Sequence, residues 1–459
     1  MVLPAPSTSL VSILHPGTDG NSQVNRRTPA DYHPSVWGDH FLTFPHEQTK
    51  LNTWAGRVQE LKEEVMRMLS NAGDSKEELD LINVLECLGV AYLFEQEIEK
   101  ALHQIYGSHS TADANDLHTT ALRFRLLRQH GYNISSDVFA QFKDDNGNFK
   151  EALRTDVRGL LSLYEAAYLG TRGEDVLEEA ITFTRQHLSS SVDHLDPLLA
   201  RKVSHALELP LHKRVQRLEH KYYISIYQEE EKRNETLLEL AKLDFNLVQS
   251  LHQRELEELT RWWMELDLTG RLPFARDRLV ELYFWANGTY FEPQYSRARV
   301  LMTKVLASIS AMDDTYDGYG TMDELVLLTN AVERWDLDVV NELPEYIQVC
   351  YLALYDTVKE IEEELAPQGN AYRIPYLKEG LKGLARAYFT EADWYSKGYV
   401  PPVEQYLDVA MVSCTYPMIT ILAFVGMDEI ATKEAFEWAV KKPKIAMDAS
   451  VICRLLDDT

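Results

Sequence analysis

Helical periodicity along nearly the whole chain is the feature that most restricts what this sequence can fold into. Apolar residues recur at steps of three and four, as at Leu240, Leu243, Leu247 and Leu251. Further examples are Leu81, Leu85, Leu88 and Tyr92, and Leu256, Leu259, Trp263 and Leu266. This spacing places apolar side chains on one face of a helix. Because no pair of segments alternates as paired β-strands do, the sequence predicts an all-α protein.

The length of the chain predicts more than one domain. Its 459 residues exceed what a single hydrophobic core usually organises. A charged stretch at residues 228–234 separates an aromatic segment ending at Tyr227 from a long amphipathic helix. We therefore predict a loop-like extension at residues 1–25, an N-terminal helical domain at 26–230 and a C-terminal helical domain at 231–459.

The charge, the cysteine spacing and the apolar runs argue against a nucleic-acid partner, a disulfide-forming compartment and a membrane span. The formal net charge is −26, from 72 acidic and 46 basic side chains, which argues against an extended surface for nucleic acid. The four cysteines have no paired spacing, as expected in a reducing compartment. No apolar run approaches the ~20 residues of a membrane span. No Lys or Arg precedes Arg26, so a targeting peptide is not supported and we expect a cytoplasmic protein.

Three carboxylates end an apolar helical run that begins near Val305. Asp313 and Asp317 lie four residues apart and would share a helix face, with Asp314 about a quarter turn away. The glycines at positions 318 and 320 are suited to stopping the helix. Oxygen-only ligands of this kind suit Mg²⁺. The alternative is an acidic helix end facing solvent, which the helix dipole disfavours, and spacing alone leaves both interpretations open.

Two arginines, Arg276 and Arg278, follow a Gly/Pro breaker at residues 270–273. On a helix their side chains would point about 200° apart, so they would converge on one ligand only if this segment is not helical. Guanidinium groups suit phosphate oxygens. In isolation the triplet is a very weak motif, and a solvated charged turn is the favoured interpretation.

Two further segments have both a structural and a functional interpretation. The aromatic run at 282–285, with Trp285 at its end, is typical of a core but would stabilise a cation if it lined a cavity. In the apolar helix from Tyr406 to Phe424, Pro417 has no N–H for the carbonyl of Ser413, which predicts a kink. Near the end of the chain, Arg454 and Asp458 are spaced as a surface ion pair.

Taken together, these residues resemble the class I terpene synthases of plants, on the cadinene- and germacrene-type sesquiterpene side. Asp313-Asp-Thr-Tyr-Asp317 matches the DDxxD motif of the family, and Arg276-Asp-Arg278 matches its RxR motif. Other phrases typical of the family are Phe291-Glu-Pro-Gln-Tyr295, Glu333-Arg-Trp335 and the segment from Phe124 to Gly131. The resemblance extends from about Arg26 to Thr459.

The resemblance implies two all-helical domains, an N-terminal relic α-barrel and a C-terminal catalytic bundle that is incomplete here. It implies an enzyme that ionises farnesyl diphosphate with Mg²⁺, or alternatively Mn²⁺, and cyclises it to a sesquiterpene. The expected partner is this small molecule, with no nucleic acid and no membrane span, and the expected state is a monomer.

Site residues carry over from the family position by position. The implied metal ligands are Asp313, Asp317 and Asp457, with Asp314 in support. The implied diphosphate-binding residues are Arg276, Arg278 and Arg454, and the first two join Asp313 and Asp317 as catalytic residues. Trp285 would line the substrate cavity, and the carbonyls around 413–415 would face the reacting cation.

Three departures qualify the resemblance. Thr28 replaces the second arginine of the RR-x8-W motif of monoterpene synthases, which favours the sesquiterpene side. The N-terminal domain contains no Asp-x-Asp-Asp motif, so class II chemistry is not expected. The second metal motif begins at Asp457 and would continue beyond Thr459, which predicts a C-terminally truncated chain that binds Mg²⁺-diphosphate poorly and turns over little.

Three alternatives stay open. A monoterpene synthase would use geranyl diphosphate, and a non-catalytic helical interaction protein would retain the fold alone. A chain-elongating prenyltransferase shares the aspartate-rich motif, but the N-terminal domain argues against it.

Overall fold

Helices account for nearly all the regular structure in this computed structural model. The structure describes residues 32–44, 48–108, 116–427 and 429–458. Within these ranges there is no β-strand, and only an isolated antiparallel bridge joins Lys143 to Phe149. The prediction of an all-α fold is confirmed. The predicted extension at 1–25 and the segment around Thr28 lie outside the described residues.

The helices follow one another closely along the chain. Those up to residue 266 are α1 Gln48–Ser70, α2 Ser75–Cys87, α3 Glu95–Gly107, α4 Leu117–Gln129, α5 Val157–Ala167, α6 Asp175–Ser191, α7 Pro197–Glu208, α8 Gln216–Tyr227 and α9 Glu235–Leu266. The remainder are α10 Leu268–Arg271, α11 Leu279–Thr289, α12 Ser296–Asp314, α13 Met322–Arg334, α14 Glu345–Leu365, α15 Ile374–Ser396, α16 Val403–Ser413, α17 Tyr416–Val425, α18 Lys433–Ala439 and α19 Lys444–Asp457. A π-helical turn at Thr315–Tyr319 extends α12, and short 3₁₀ turns occupy several connections, such as His40–Leu42, Ala91–Phe94, Ser136–Phe142, Glu151–Thr155 and Leu337–Glu342.

The described residues divide into two compact units. The first comprises residues 37–262 and 279–303, and the second comprises 32–36, 263–278 and 304–458. The chain passes from one unit to the other within α9 and within α12. The predicted domain boundary after residue 230 falls between α8 and α9, and the domain limits themselves stay a prediction.

The core of the first unit includes Leu85, Leu88 and Leu240 from the apolar stripes seen in the sequence. Fully buried members include Leu61, Ile82, Phe94 and Phe124. The stripe predicted to run from Leu81 to Tyr92 is interrupted, because α2 ends at Cys87 and Tyr92 lies in the 3₁₀ turn that follows. The two later leucine-rich stripes belong to the single long helix α9.

In the second unit, α15 is the central helix. It packs against α13, α16 and α17, and the last two also contact α19. At the start of α15 the buried Arg373 donates hydrogen bonds to the carbonyls of Val425, at 3.1 Å, and Ala431, at 3.3 Å. This guanidinium group therefore ties α15 to the segment that follows α17 and satisfies carbonyls left open at a helix end.

Residues 403–425 bear on the prediction that the chain has no membrane span. Within the described part of the chain, this is the one segment long and apolar enough to cross a membrane, although no such run was expected. The segment is not one helix, because α16 ends at Ser413 and Thr415 has a left-handed backbone with φ of 76°. Both halves pack against α15, so we interpret the segment as a broken core helix. The predicted kink is confirmed as a complete break.

Gly320 ends the helical run after Asp317, but for a reason other than the predicted one. Its φ is −70°, which any residue adopts, and its N–H donates to the Thr315 carbonyl at 2.8 Å. A Cβ at Gly320 would lie 2.5 Å from Leu325 Cδ2 and 3.0 Å from that carbonyl oxygen. A larger residue here would therefore force the buried Leu325 side chain to move and would crowd the Thr315 carbonyl.

Gly320→Ala is expected to lower the free energy of unfolding by about 1–3 kcal/mol, the usual cost of overpacking a buried site. Urea denaturation of the purified variants measures this difference. Gly318→Ala is the matched control, because its Cβ would meet no atom within 4 Å. Equal stabilities of the two variants would show that the close approach at Gly320 is not required.

Candidate active site

The C-terminal end of α12 opens into a cavity of about 500 Å³ within the second unit. Asp313 and Asp317 line it from α12 and its π turn, and Arg454 lines it from α19. The rest of the wall consists of Tyr388, Glu391, Ala392, Trp394 and Tyr395 of α15, Tyr399 and Pro401 of the next loop, and Tyr406 and Ser413 of α16. The structure thus brings together two of the predicted aspartates and one of the predicted arginines.

The three aspartates differ in their surroundings. Asp314 is buried, with 4% of its surface exposed, whereas Asp313 is half-buried and Asp317 is exposed. Burial and the neighbouring Asp317 carboxylate raise the pKa of Asp313 to about 7, although Arg276 lowers it. A cation beside Asp313 and Asp317 would relieve this repulsion.

Arg276 binds two of the aspartates. Its backbone N–H donates to Asp314 Oδ2 at 2.7 Å, and its Nε donates to Asp314 Oδ1 at 2.7 Å. Its Nη2 donates to Asp313 Oδ2 at 3.0 Å. The ring of Tyr32 lies over the guanidinium carbon at 5.4 Å. Both carboxylate oxygens of Asp314 therefore accept hydrogen bonds from Arg276, so Asp314 anchors this arginine. Its role in metal binding stays a prediction.

The segment that carries Arg276 and Arg278 is not helical. Trp263 Nε1 donates to Asp277 Oδ1 at 3.1 Å, which holds the segment in this conformation. Arg278 Nε donates to Ser310 Oγ at 2.8 Å, and its Nη2 lies 3.9 Å from Asp313 Oδ2. The sequence analysis required a non-helical segment for Arg276 and Arg278 to converge, and the structure has one. Both guanidinium groups reach the end of α12.

Arg454 reaches the cavity, but Asp457 does not line it. Arg454 Nε donates to the hydroxyl of Tyr406 at 2.8 Å, and this hydroxyl donates to Asp458 Oδ2 at 2.6 Å. The Arg454–Asp458 pair predicted from their spacing is present at 3.3 Å, and it lies beside the cavity. The Asp457 side chain is 72% exposed. Metal binding by Asp457 stays a prediction.

Sequence reasoning selected Trp285 as a wall residue and missed the aromatic residues of α15. Trp285 lies in α11, in the first unit, where its side chain is about half exposed, and its role as a cavity wall stays a prediction. Tyr388, Glu391 and Tyr395 recur at steps of three and four on α15. A face that combines aromatic and acidic residues inside an apolar helix was the signal that could have found them.

The donor set of the cavity fits Mg²⁺. Three carboxylates line the cavity, namely Asp313, Asp317 and Glu391. Mg²⁺ prefers one or two carboxylates together with water and substrate phosphate oxygens, which Asp313 and Asp317 would supply from one helix face. In the described ranges, no group of three or more His, Cys, Asp or Glu side chains could enclose a metal ion by itself. A site completed by ligand oxygens is therefore the arrangement that these residues favour.

Comparison with protein families gives two matches. The model "Terpene synthase, N-terminal domain" matches residues 36–207, and "Terpene synthase family, metal binding domain" matches residues 264–459. Together they cover most of the chain. The second match supports a divalent metal cofactor.

Plant sesquiterpene synthases are about half identical to this chain. Beta-cubebene synthase of Magnolia grandiflora is 52% identical over 95% of this chain and 80% of the relative. (−)-Germacrene D synthase of Vitis vinifera is 49% identical over 97% of the chain and 80% of the relative. (+)-Delta-cadinene synthase of Gossypium arboreum is 48% identical over 94% and 78%. The predicted resemblance to cadinene- and germacrene-type enzymes is confirmed.

Solved structures give the same result. A limonene synthase with 2-fluorolinalyl diphosphate matches with a TM-score of 0.89 at 36% identity, covering 94% of this chain and 81% of its own. Isoprene synthase from grey poplar leaves, in complex with three Mg²⁺ ions and dimethylallyl-S-thiolodiphosphate, matches with a TM-score of 0.83 at 41% identity, covering 87% and 77%. The fold, both family domains and the similarity to these lyases agree: this chain belongs to the terpene synthase family.

Proposed function

We propose that this protein ionises farnesyl diphosphate and cyclises the resulting cation to a sesquiterpene, releasing diphosphate. The observation that carries the proposal is the convergence of Asp313, Asp317 and Arg454 on one cavity with aromatic walls. Carboxylates suit a metal, an arginine suits a departing anion, and aromatic rings suit a cation. Similarity to sesquiterpene synthases supports the 15-carbon substrate.

Asp313 and Asp317 would hold Mg²⁺, with Mn²⁺ as the alternative. When bound, such an ion supplies Lewis-acid charge that neutralises the leaving diphosphate. Arg454 would bind the departing anion from α19, while Arg276 and Arg278 would bind it from the non-helical segment that reaches the end of α12. Because ion pairs already fix Arg276 and Arg454, these charges need little reorganisation to act.

The aromatic wall would protect the cation after ionisation. Five aromatic residues line the cavity, and none of them is a strong nucleophile: Tyr388, Trp394, Tyr395, Tyr399 and Tyr406. Aromatic faces attract a cation without bonding to it, and exclusion of water prevents its capture. This wall favours cyclisation over simple hydrolysis.

Geranyl diphosphate is the alternative substrate, favoured by the structural similarity to limonene synthase. We propose a monomer in the cytoplasm, on the basis of the acidic composition and of four cysteines without paired spacing.

Isothermal titration of the full chain with farnesyl S-thiolodiphosphate, with and without Mg²⁺, tests the proposal. We expect binding only with Mg²⁺, and tighter binding than that of the geranyl analogue. Gas chromatography after incubation with farnesyl diphosphate identifies any hydrocarbon, which should have 15 carbons, and also tests the expectation of low turnover. Tighter binding of the geranyl analogue would favour the alternative, and binding of either analogue that is equally tight with and without Mg²⁺ would contradict the proposed metal site.

A further inference from the structure

A second cavity, of about 340 Å³, lies within the first unit. Its wall comes from the C-terminal halves of α2 and α4, the N-terminal half of α8 and the segment before α12. Two of the sequence phrases typical of the family contribute to it: 124–131 through Arg125 and Gln129, and 291–295 through Phe291. Neither phrase lines the candidate active site, so neither has a role in the proposed function.

Arg125 is a buried cation in this wall, with 7% of its surface exposed. Its Nη1 donates to Gln129 Oε1 at 3.2 Å, and its Nη2 donates to Asn83 Oδ1. Both acceptors are neutral amide oxygens, and no carboxylate among the described residues forms an ion pair with this arginine. A buried guanidinium group with neutral partners has lost its hydration without gaining a counter-charge, so an anion in the cavity would stabilise it.

The carboxylates around the cavity do not replace that anion. Glu86 and Glu219 each accept a hydrogen bond from a histidine, at 2.8 Å and 2.7 Å. Burial raises the pKa of Glu292 in the wall, and it raises the pKa of Glu165, near Arg125, to about 7. The first two charges are therefore already paired, and Glu165 is ionised only in part at neutral pH.

Aromatic rings form another part of the wall. The ring centroid of Phe291 lies 6.0 Å from that of Tyr92 and 5.0 Å from that of His220, both in edge-to-face geometry. Burial lowers the pKa of His220 to about 3, so this ring is neutral. A flat ring packs well against such a wall, because aromatic groups favour edge-to-face and offset contacts.

We propose that this cavity binds a small aromatic carboxylate, whose carboxylate pairs with Arg125 and whose ring packs beside Tyr92 and Phe291. Two of the five N–H groups of Arg125 are used within the protein, which leaves three for a ligand. Guanidinium and carboxylate groups match in a planar, two-bond geometry. The volume lies near the lower end of ligand pockets, about 300–1,000 Å³, which restricts the site to a small molecule. This inference does not depend on the proposed function.

Fluorine NMR titration of the full chain with 4-fluorobenzoate tests the proposal, with 4-fluorobenzamide as its neutral analogue. The wild type should bind the benzoate at least about tenfold more tightly, because a hydrogen bond to a charged group contributes more than one to a neutral group. Mg²⁺ with inorganic diphosphate should not displace it, since the candidate active site is a separate cavity.

Two variants locate the binding. Arg125→Met should weaken 4-fluorobenzoate binding at least about tenfold, while the affinity for 4-fluorobenzamide stays at the wild-type value and shows that the cavity is intact. Ala91→Leu leaves the arginine in place but narrows the cavity, because Ala91 lines it, and should weaken binding of both analogues. Arg123→Met is the matched control, since it removes an arginine from the same helix that does not line the cavity.

Four results would overturn the proposal. They are no binding of 4-fluorobenzoate to the wild type, equal affinity of the wild type for the two analogues, displacement of the benzoate by Mg²⁺-diphosphate, and wild-type benzoate affinity in Ala91→Leu. Because Ala91→Leu keeps every contact of Arg125, the last result decides the matter even if Arg125→Met fails to fold.

Discussion

Asp313→Asn is expected to weaken Mg²⁺-dependent binding of farnesyl S-thiolodiphosphate by at least about 100-fold. Loss of an outer-shell partner of a metal ligand typically costs about 10–100-fold in affinity, so loss of a direct ligand should cost at least the upper end of that range. Asp313 faces the cavity together with Asp317, and the substitution removes both a charge and a carboxylate oxygen. Isothermal titration with and without Mg²⁺ measures the loss.

The change should leave the fold intact. Asn retains the volume of Asp and an oxygen that can accept the hydrogen bond from Arg276 Nη2. Asp323→Asn provides the control, since Asp323 is an exposed carboxylate in the first turn of α13. Wild-type affinity in Asp313→Asn would contradict the metal site and favour the non-catalytic alternative.

Local patterns made part of this site predictable. Apolar spacing located the helix that carries Asp313, and the Gly/Pro breaker before Arg276 indicated a non-helical segment. The one-turn spacing of Asp313 and Asp317 placed both on the same cavity. Each of these inferences depends on residues close together in the chain, where helical geometry is nearly fixed.

Long-range packing explains what the sequence did not reveal. Whether Glu391 faces the cavity depends on how α15 packs against α16, and side-chain spacing identifies a face without saying what covers it. The burial of Asp314 against Arg276 joins residues 38 positions apart. The π turn was also not predicted. A glycine after a helix indicates that the helix stops, but it does not reveal a hydrogen bond across five residues such as that from the Gly320 N–H to the Thr315 carbonyl.

Arg276→Ala is expected to lower the free energy of unfolding by about 3 kcal/mol, near the lower limit for removal of one partner of a buried pair. The Asp314 side chain is only 3% exposed. After the substitution, the Asp314 carboxylate would keep only one hydrogen-bond donor from this segment, the backbone N–H of residue 276. We place the cost at this limit because Arg276 itself is 32% exposed. Urea denaturation measures the change.

Arg278→Ala is the matched control for charge. It removes the neighbouring guanidinium group and a hydrogen bond to Ser310, at a cost of about 1 kcal/mol, and leaves Asp314 paired. Both arginine variants should bind Mg²⁺ and inorganic diphosphate more weakly, but only Arg276→Ala should be strongly destabilised. Equal destabilisation would contradict the role of Asp314 as an anchor.

The double variant Arg276→Ala/Asp314→Asn separates stability from ligand binding. Removing the stranded carboxylate should restore much of the free energy lost in Arg276→Ala, because the cost arises from an unpaired buried charge rather than from lost attraction. Diphosphate affinity should stay low, since no guanidinium group returns to residue 276. If stability and affinity recovered together, Arg276 would act on the ligand only through the fold. If stability alone recovered, and Asp314→Asn by itself kept the wild-type affinity, the positive charge of Arg276 would contribute to diphosphate binding in its own right.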